Sequence, residues 1–175
     1  MTTTQTAAAE IPTTQDGATQ ILGTETGADN TQSGTAPTGT THVGSSARRT
    51  RTVTSRDIEL FTEISGDRNP LHYDEALAGR SRFGGLVVQG GVTSGLLNAL
   101  VAEQLPGPGS VFLEVSWHFL APVRPGDVIT AEAVVLAIRE DKPVTTLATS
   151  VTNQDGVTVL DGTAVVWRDP VVAAA

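Results

Sequence analysis

The sequence predicts an α+β domain in which a long antiparallel β-sheet wraps around a central apolar α-helix. Residues 90 to 105 place Val92, Leu96, Leu97, Leu100 and Val101 around nearly every face of one helical segment. A helix apolar all round belongs inside a protein rather than on its surface. Residues 128 to 138, 144 to 152 and 157 to 167 then form three long β-patterned runs separated by turn residues. A change of composition bounds the domain. Residues 1 to 47 are rich in Thr, Gly and Ala with few bulky apolar side chains, so ordering them would recover little burial. They read as a disordered tail ahead of a single domain at 48 to 170.

Order is expected near Arg49, with a short strand through Val53. Thr54-Ser55-Arg56-Asp57 pairs an N-cap hydroxyl with an acid three residues on, a helix start. Ile58, Phe61 and Ile64 recur at helical spacing and should give that helix one apolar face, and Gly66 stands where a terminating glycine is wanted. A short helical turn from Asp74 to Gly79 follows, capped by Asp74. The apolar helix comes next, and Pro106-Gly107-Pro108-Gly109 stops it. Leu113, Val115, Trp117 and Phe119 alternate with Glu114, Ser116 and His118, the pattern of a half-buried strand. Pro125-Gly126 supplies a turn into the three long strands, and Asn153-Gln154-Asp155-Gly156 makes a hairpin between the last two.

Composition narrows the function. A net charge of -8 leaves no basic stripe to replace phosphate counterions, so a nucleic-acid partner is not expected. The absence of cysteine removes disulfides, thiolate metal sites and cysteine nucleophiles together, and fits a reducing compartment. No apolar run approaches a bilayer span, and Met1-Thr2-Thr3-Thr4-Gln5 has neither the basic nor the apolar region of a secretory leader. A cytoplasmic protein is the expectation. The tail carries Glu10, Asp16, Glu25 and Asp29 with no Lys or Arg. It reads either as a docking arm or, in preference, as a dispensable extension.

The chemistry is concentrated in residues 66 to 74, Gly-Asp-Arg-Asn-Pro-Leu-His-Tyr-Asp. Asp67 and His72 stand five positions apart with Pro70 stiffening the turn between them. A carboxylate and an imidazole brought together can bind a water, orient it and exchange protons with it near neutral pH. Asn69 adds an amide that can orient a neighbour. The competing reading is an Asx-type turn in which Asp67 and Asn69 only bond nearby backbone.

Ile64 to His72, then Phe83 and the run Leu86-Val87-Val88-Gln89-Gly90-Gly91, resemble the signature of the MaoC-like (R)-specific enoyl-CoA hydratases. In that family Gly-Asp-x-Asn-Pro-x-His is followed, at the same ungapped distance, by an apolar stretch ending in His-Gly-Met. Phe119 to Asp127 resembles the family's strand-to-turn segment, and the likeness covers roughly residues 50 to 168. Gln89 stands where most members carry His, and Gly91 where they carry Met. The resemblance implies the hotdog fold, an acyl thioester of CoA or an acyl carrier as substrate with no cofactor, and a homodimer with each pocket near the subunit boundary. It also implies Asp67 and His72 as the catalytic pair, with Asn69 in support.

Hydrating an enoyl thioester also needs a donor for the charge that develops on the thioester oxygen. By resemblance that donor is the Gly90 N–H, at the start of the buried helix where amides point outward. The alternative is that Gly90 and Gly91 only let the helix pack closely. Gln89 and Gly91 are placed among the substrate-binding residues, and Arg80, Arg82 and Arg124 are candidates for a CoA phosphate. His42 and His118 read as solvated, and no metal site is expected. Two further readings remain open: a hotdog thioesterase, and a non-catalytic hotdog protein that binds an acyl thioester or a biosynthetic intermediate.

Overall fold

The computed structural model describes residues 41–174, so the expectation of a disordered, dispensable tail falls almost wholly outside the described residues. Strand β1 spans Ser46–Thr52 and therefore takes in Ser46 and Ala47, two residues that composition had assigned to the tail. The backbone is already paired before it, where the Gly44 N–H donates to Val135 O at 2.9 Å. Strand pairing, which composition cannot register, sets this boundary.

Helix α1 spans Ser55–Ser65 with Thr54 as its N-cap. The Asp57 carboxylate accepts from the Thr54 N–H at 2.7 Å and from its hydroxyl at 2.9 Å, which satisfies donors that the helix cannot. Arg51 also bonds Asp57 and so joins β1 to the start of α1. Only part of the expected apolar face is used. Ile58 is 2% exposed and Phe61 is half-buried, but Ile64, in the last turn of the helix, is 84% exposed.

A 3-10 turn at Pro70–His72 and a short helix α2 at Glu75–Arg80 follow. The Leu77 N–H donates to the Asp74 carboxylate at 2.9 Å, which makes Asp74 the cap expected of it. Helix α3 runs from Gly90 to Glu103 and is the central helix. Leu97, Leu100 and Val101 are fully enclosed, each worth about 1.5–3 kcal/mol of burial.

The sheet has five strands in the order β1-β3-β4-β5-β2, with β2 at Ser110–Phe119, β3 at Val128–Ile138, β4 at Val144–Thr152 and β5 at Thr158–Arg168. Every pairing is antiparallel. Alternate residues of the inner strands, Ile129, Ala131, Ala133 and Val135 with Leu147 and Val151, face α3 and carry the core. A last short helix, α4, spans Pro170–Ala173. At the turn after β3, Arg139 donates two bonds to Asp141 at 2.8 Å, and these hold the Asp141 carboxyl below its usual range.

Strand β2 departs from expectation. Its register breaks between Phe112 and Glu114, after which Val115, Trp117 and Phe119 turn to the inner side, opposite Ala164, Gly162 and Leu160. Of these only Trp117 is half-buried, with its indole N–H on Thr149 Oγ1 at 3.0 Å. Val115 and Phe119 remain 45% and 56% exposed, although the start of α3 lies beside the Phe119 ring. Leu113 is exposed beside them.

Candidate active site

Helix α1 stops at Gly66, whose φ of 75° lies in the left-handed region that glycine enters without steric cost. The loop that follows is closed by two side-chain-to-backbone turns. The Asn69 N–H donates to Asp67 Oδ1 at 3.0 Å, and the Leu71 N–H donates to Asn69 Oδ1 at 3.1 Å. The turn chemistry considered as the competing reading is therefore present, yet it occupies only one oxygen of Asp67. The other, Oδ2, lies 3.5 Å from His72 Nε2.

His72 sits at the end of the 3-10 turn with 9% exposure. Its Nδ1 is 2.6 Å from Val87 O, and the Val87 N–H donates to Leu71 O at 3.2 Å. A carbonyl can only accept, so Nδ1 carries a proton and Nε2 is left to face Asp67. The Asp67 side chain is 41% exposed, so the pair has an enclosed base and an open mouth. A water lying between Oδ2 and Nε2 could bond both, which is the arrangement general acid–base chemistry needs.

Asn69 contributes through its backbone N–H to Asp67 and through its side chain to the turn. Gly90 is the first residue of α3, so its N–H lacks an intrahelical acceptor. Val87, which holds His72, is three residues earlier, so the chain cannot separate the two by more than about 11 Å. A side chain at position 90 would come within 3.0 Å of the Phe119 ring.

The residues assigned to substrate binding are distributed differently from expectation. Gln89 is 2% exposed, and its amide faces α1, where Nε2 donates to Thr62 Oγ1 at 3.0 Å and to Ile58 O at 3.3 Å. It is a buried link between helices rather than part of an open pocket. At Gly91 a Cβ would stand 2.1 Å from Phe61 Cζ, so the Phe61 ring takes the space of a side chain there. Arg124 is also committed within the protein. Its guanidinium donates to Leu86 O at 3.2 Å and to Phe83 O, and its backbone N–H to Asp127 Oδ2 at 2.8 Å. These bonds cross from residues 83–86 to the turn before β3, a pairing no local pattern records. Arg80 and Arg82 are exposed, with Arg82 over the Phe83 ring.

Sequence reasoning passed over Thr62 and Tyr73. The Thr62 hydroxyl donates to Asp67 O at 2.7 Å and meets the Tyr73 hydroxyl. The available signal was a hydroxyl one helical turn after Ile58, on the same face of α1. A cavity of about 260 Å³ lies between α1, α3 and β1, walled by Arg51, Phe61, Gly91, Val92 and Leu96, and neither Asp67 nor His72 lines it. His118 is an exposed side chain beside Asp161. Among the described residues no group of three or more His, Cys, Asp or Glu is placed to hold a metal. No helix among them is long and apolar enough to cross a membrane.

Comparison with known proteins adds four findings. The family described as MaoC like domain matches residues 38–157. The chain is 41% identical over 124 residues to an (R)-specific enoyl-CoA hydratase of Aeromonas caviae, across 71% of this chain and 92% of that protein. It is 40% identical over 114 residues to a 3-hydroxybutyryl-CoA dehydratase of Methylorubrum extorquens, across 65% of this chain and 72% of that protein. Among solved structures, the (R)-hydratase from A. caviae involved in PHA biosynthesis superposes with a TM-score of 0.71 at 40% identity. That match covers 74% of this chain and 98% of that one.

Proposed function

The chain belongs to the MaoC-like dehydratase family, with its hotdog fold, and on that premise we propose that it is a hydro-lyase acting on acyl thioesters. It adds water across the double bond of a trans-2-enoyl thioester to give the (R)-3-hydroxyacyl thioester, or runs the reverse dehydration. Relatives named for each direction support this, since one site must catalyse both. The observation that carries the reading is the 3.5 Å approach of Asp67 Oδ2 and His72 Nε2, with His72 Nδ1 held by Val87.

In this scheme a water sits between the two groups. One of them takes a proton as the water oxygen bonds C3, and a proton is returned to C2, so the elements of water are added and nothing is lost. Negative charge passes to the thioester oxygen, where the Gly90 N–H at the α3 N-terminus receives it. The acyl carrier, CoA or a carrier protein, is substrate, and the protein supplies all the catalytic groups.

The working unit is a cytoplasmic homodimer. The uncovered inner side of β2, with Val115 and Phe119 exposed at a sheet edge, supports a second copy closing that edge. Short, medium and branched trans-2-enoyl-CoAs, followed by loss of enoyl absorbance with chiral analysis of the product, test the activity. Hydration to the (R)-alcohol is expected. Release of free thiol without loss of the enoyl group would instead make the protein a thioesterase.

A further inference from the structure

We propose that Gln89 is a positioning residue that holds the Asp67–His72 loop and the start of α3 in one geometry; this rests on the hydration reading above. Three contacts place it at the junction. Its Nε2 bonds Thr62 Oγ1, and that same hydroxyl donates to the backbone carbonyl of Asp67 and meets the hydroxyl of Tyr73, the neighbour of His72. Gln89 is itself the N-cap of α3, so its backbone immediately precedes the Gly90 N–H. One side chain thus touches the hub that carries both flanks of the acid–base pair, from the residue next to the amide that receives charge.

The orientation of the amide follows from its partners. Ile58 O can only accept, so the nitrogen must face it and Thr62. The amide oxygen is then buried without a hydrogen-bond partner among the described residues. Burying an unpaired polar atom is unfavourable, and an apolar side chain of similar size would fill the space without that penalty. Packing alone therefore does not account for an amide at this position. What the amide provides is a fixed donor to Thr62, and through Thr62 a fixed carbonyl at Asp67.

The test compares Gln89→Met, Thr62→Val and Thr62→Ser in the full chain, by steady-state kinetics with a trans-2-enoyl-CoA and by backbone amide exchange. Displacing reacting groups by about 1 Å costs on the order of 10²-fold, so Gln89→Met is expected to lower kcat by about 10- to 100-fold while KM changes by less than about threefold. The His72 and Tyr73 amides, bonded to Asn69 O and Pro70 O, should exchange faster in that variant, while those of Leu147 and Val151 in β4 keep the wild-type rate. Thr62→Val should reproduce both effects, Thr62→Ser should restore wild-type behaviour, and Gln89→Met with Thr62→Val should be no worse than either alone.

Undiminished kcat with unchanged loop exchange overturns the proposal. Equal acceleration of exchange in the loop and in β4 also overturns it, because that result marks general loss of stability. If the wild type hydrates no enoyl thioester, the hydration reading fails. The exchange measurement then decides alone: selective loosening of His72 and Tyr73 upholds the positioning role, and its absence removes it.

Discussion

Asparagine at position 67 separates the turn from the chemistry. The Asn69 N–H needs an acceptor at 3.0 Å, and the amide oxygen of an asparagine can supply it, so the NH2 group must turn toward His72 Nε2. That nitrogen then meets a donor in place of a carboxylate, and a bound water loses the anionic partner that would take its proton. General acid–base groups contribute about 10²–10⁴-fold, so Asp67→Asn should raise the barrier by ~3–5 kcal/mol. The fold should hardly respond. The Asp67 side chain is 41% exposed and its contact with His72 is long, so the loss of stability should stay within about 1 kcal/mol. Initial rates of enoyl absorbance loss and a thermal melt check the two halves. His72→Gln should fall as far, and the double variant little further, because two groups sharing one water act as a unit. Near-wild-type hydration by Asp67→Asn with every enoyl thioester tried would refute the water-activation scheme.

Gly91→Ala should destabilise the protein by ~1–3 kcal/mol, since its Cβ would stand 2.1 Å from Phe61 Cζ, and Phe61→Leu in the same chain should recover part of that loss in a thermal melt. The protein should scatter light as a dimer at micromolar concentration, and Leu113→Asp on the exposed edge strand should shift it toward monomer. A monodisperse wild-type monomer would refute the dimer.

What could be read ahead of the structure was whatever depends on near neighbours. Thr54 with Asp57, Gly66 after α1, Asp74 before α2 and the long β-patterned runs of β3 and β4 are local patterns, and each stands where pattern or capping put it. The approach of Asp67 to His72 was legible for the same reason, since five residues and a proline confine it. Ile64 fits the apolar spacing of α1 yet is exposed, because spacing records a face and not whether anything covers that face. Gln89 and Arg124 were read as ligand contacts, but their partners are Thr62, Ile58, Phe83 and Leu86, groups remote in sequence or on the backbone. Side-chain type indicates that a donor exists and not which carbonyl it will find. The family resemblance implied a dimer, but the pattern of β2 alone did not mark which edge is left uncovered, because alternation cannot tell burial within one chain from burial between two.

The division of labour within the Asp67 carboxylate limits how position 67 can change. Asparagine or serine can serve the turn with one oxygen but offers no second anionic oxygen toward His72. Glutamate has two oxygens, but its extra methylene carries them past the distance at which a side chain closes a turn on the amide two residues ahead. No other side chain meets both demands, so under the proposed scheme this site has no near neighbour in sequence space through which its chemistry could be altered stepwise. Under the proposed hydration scheme, a redesign that moves the base elsewhere must first rebuild the loop from Gly66 to His72, because the same carboxylate closes the turn on Asn69.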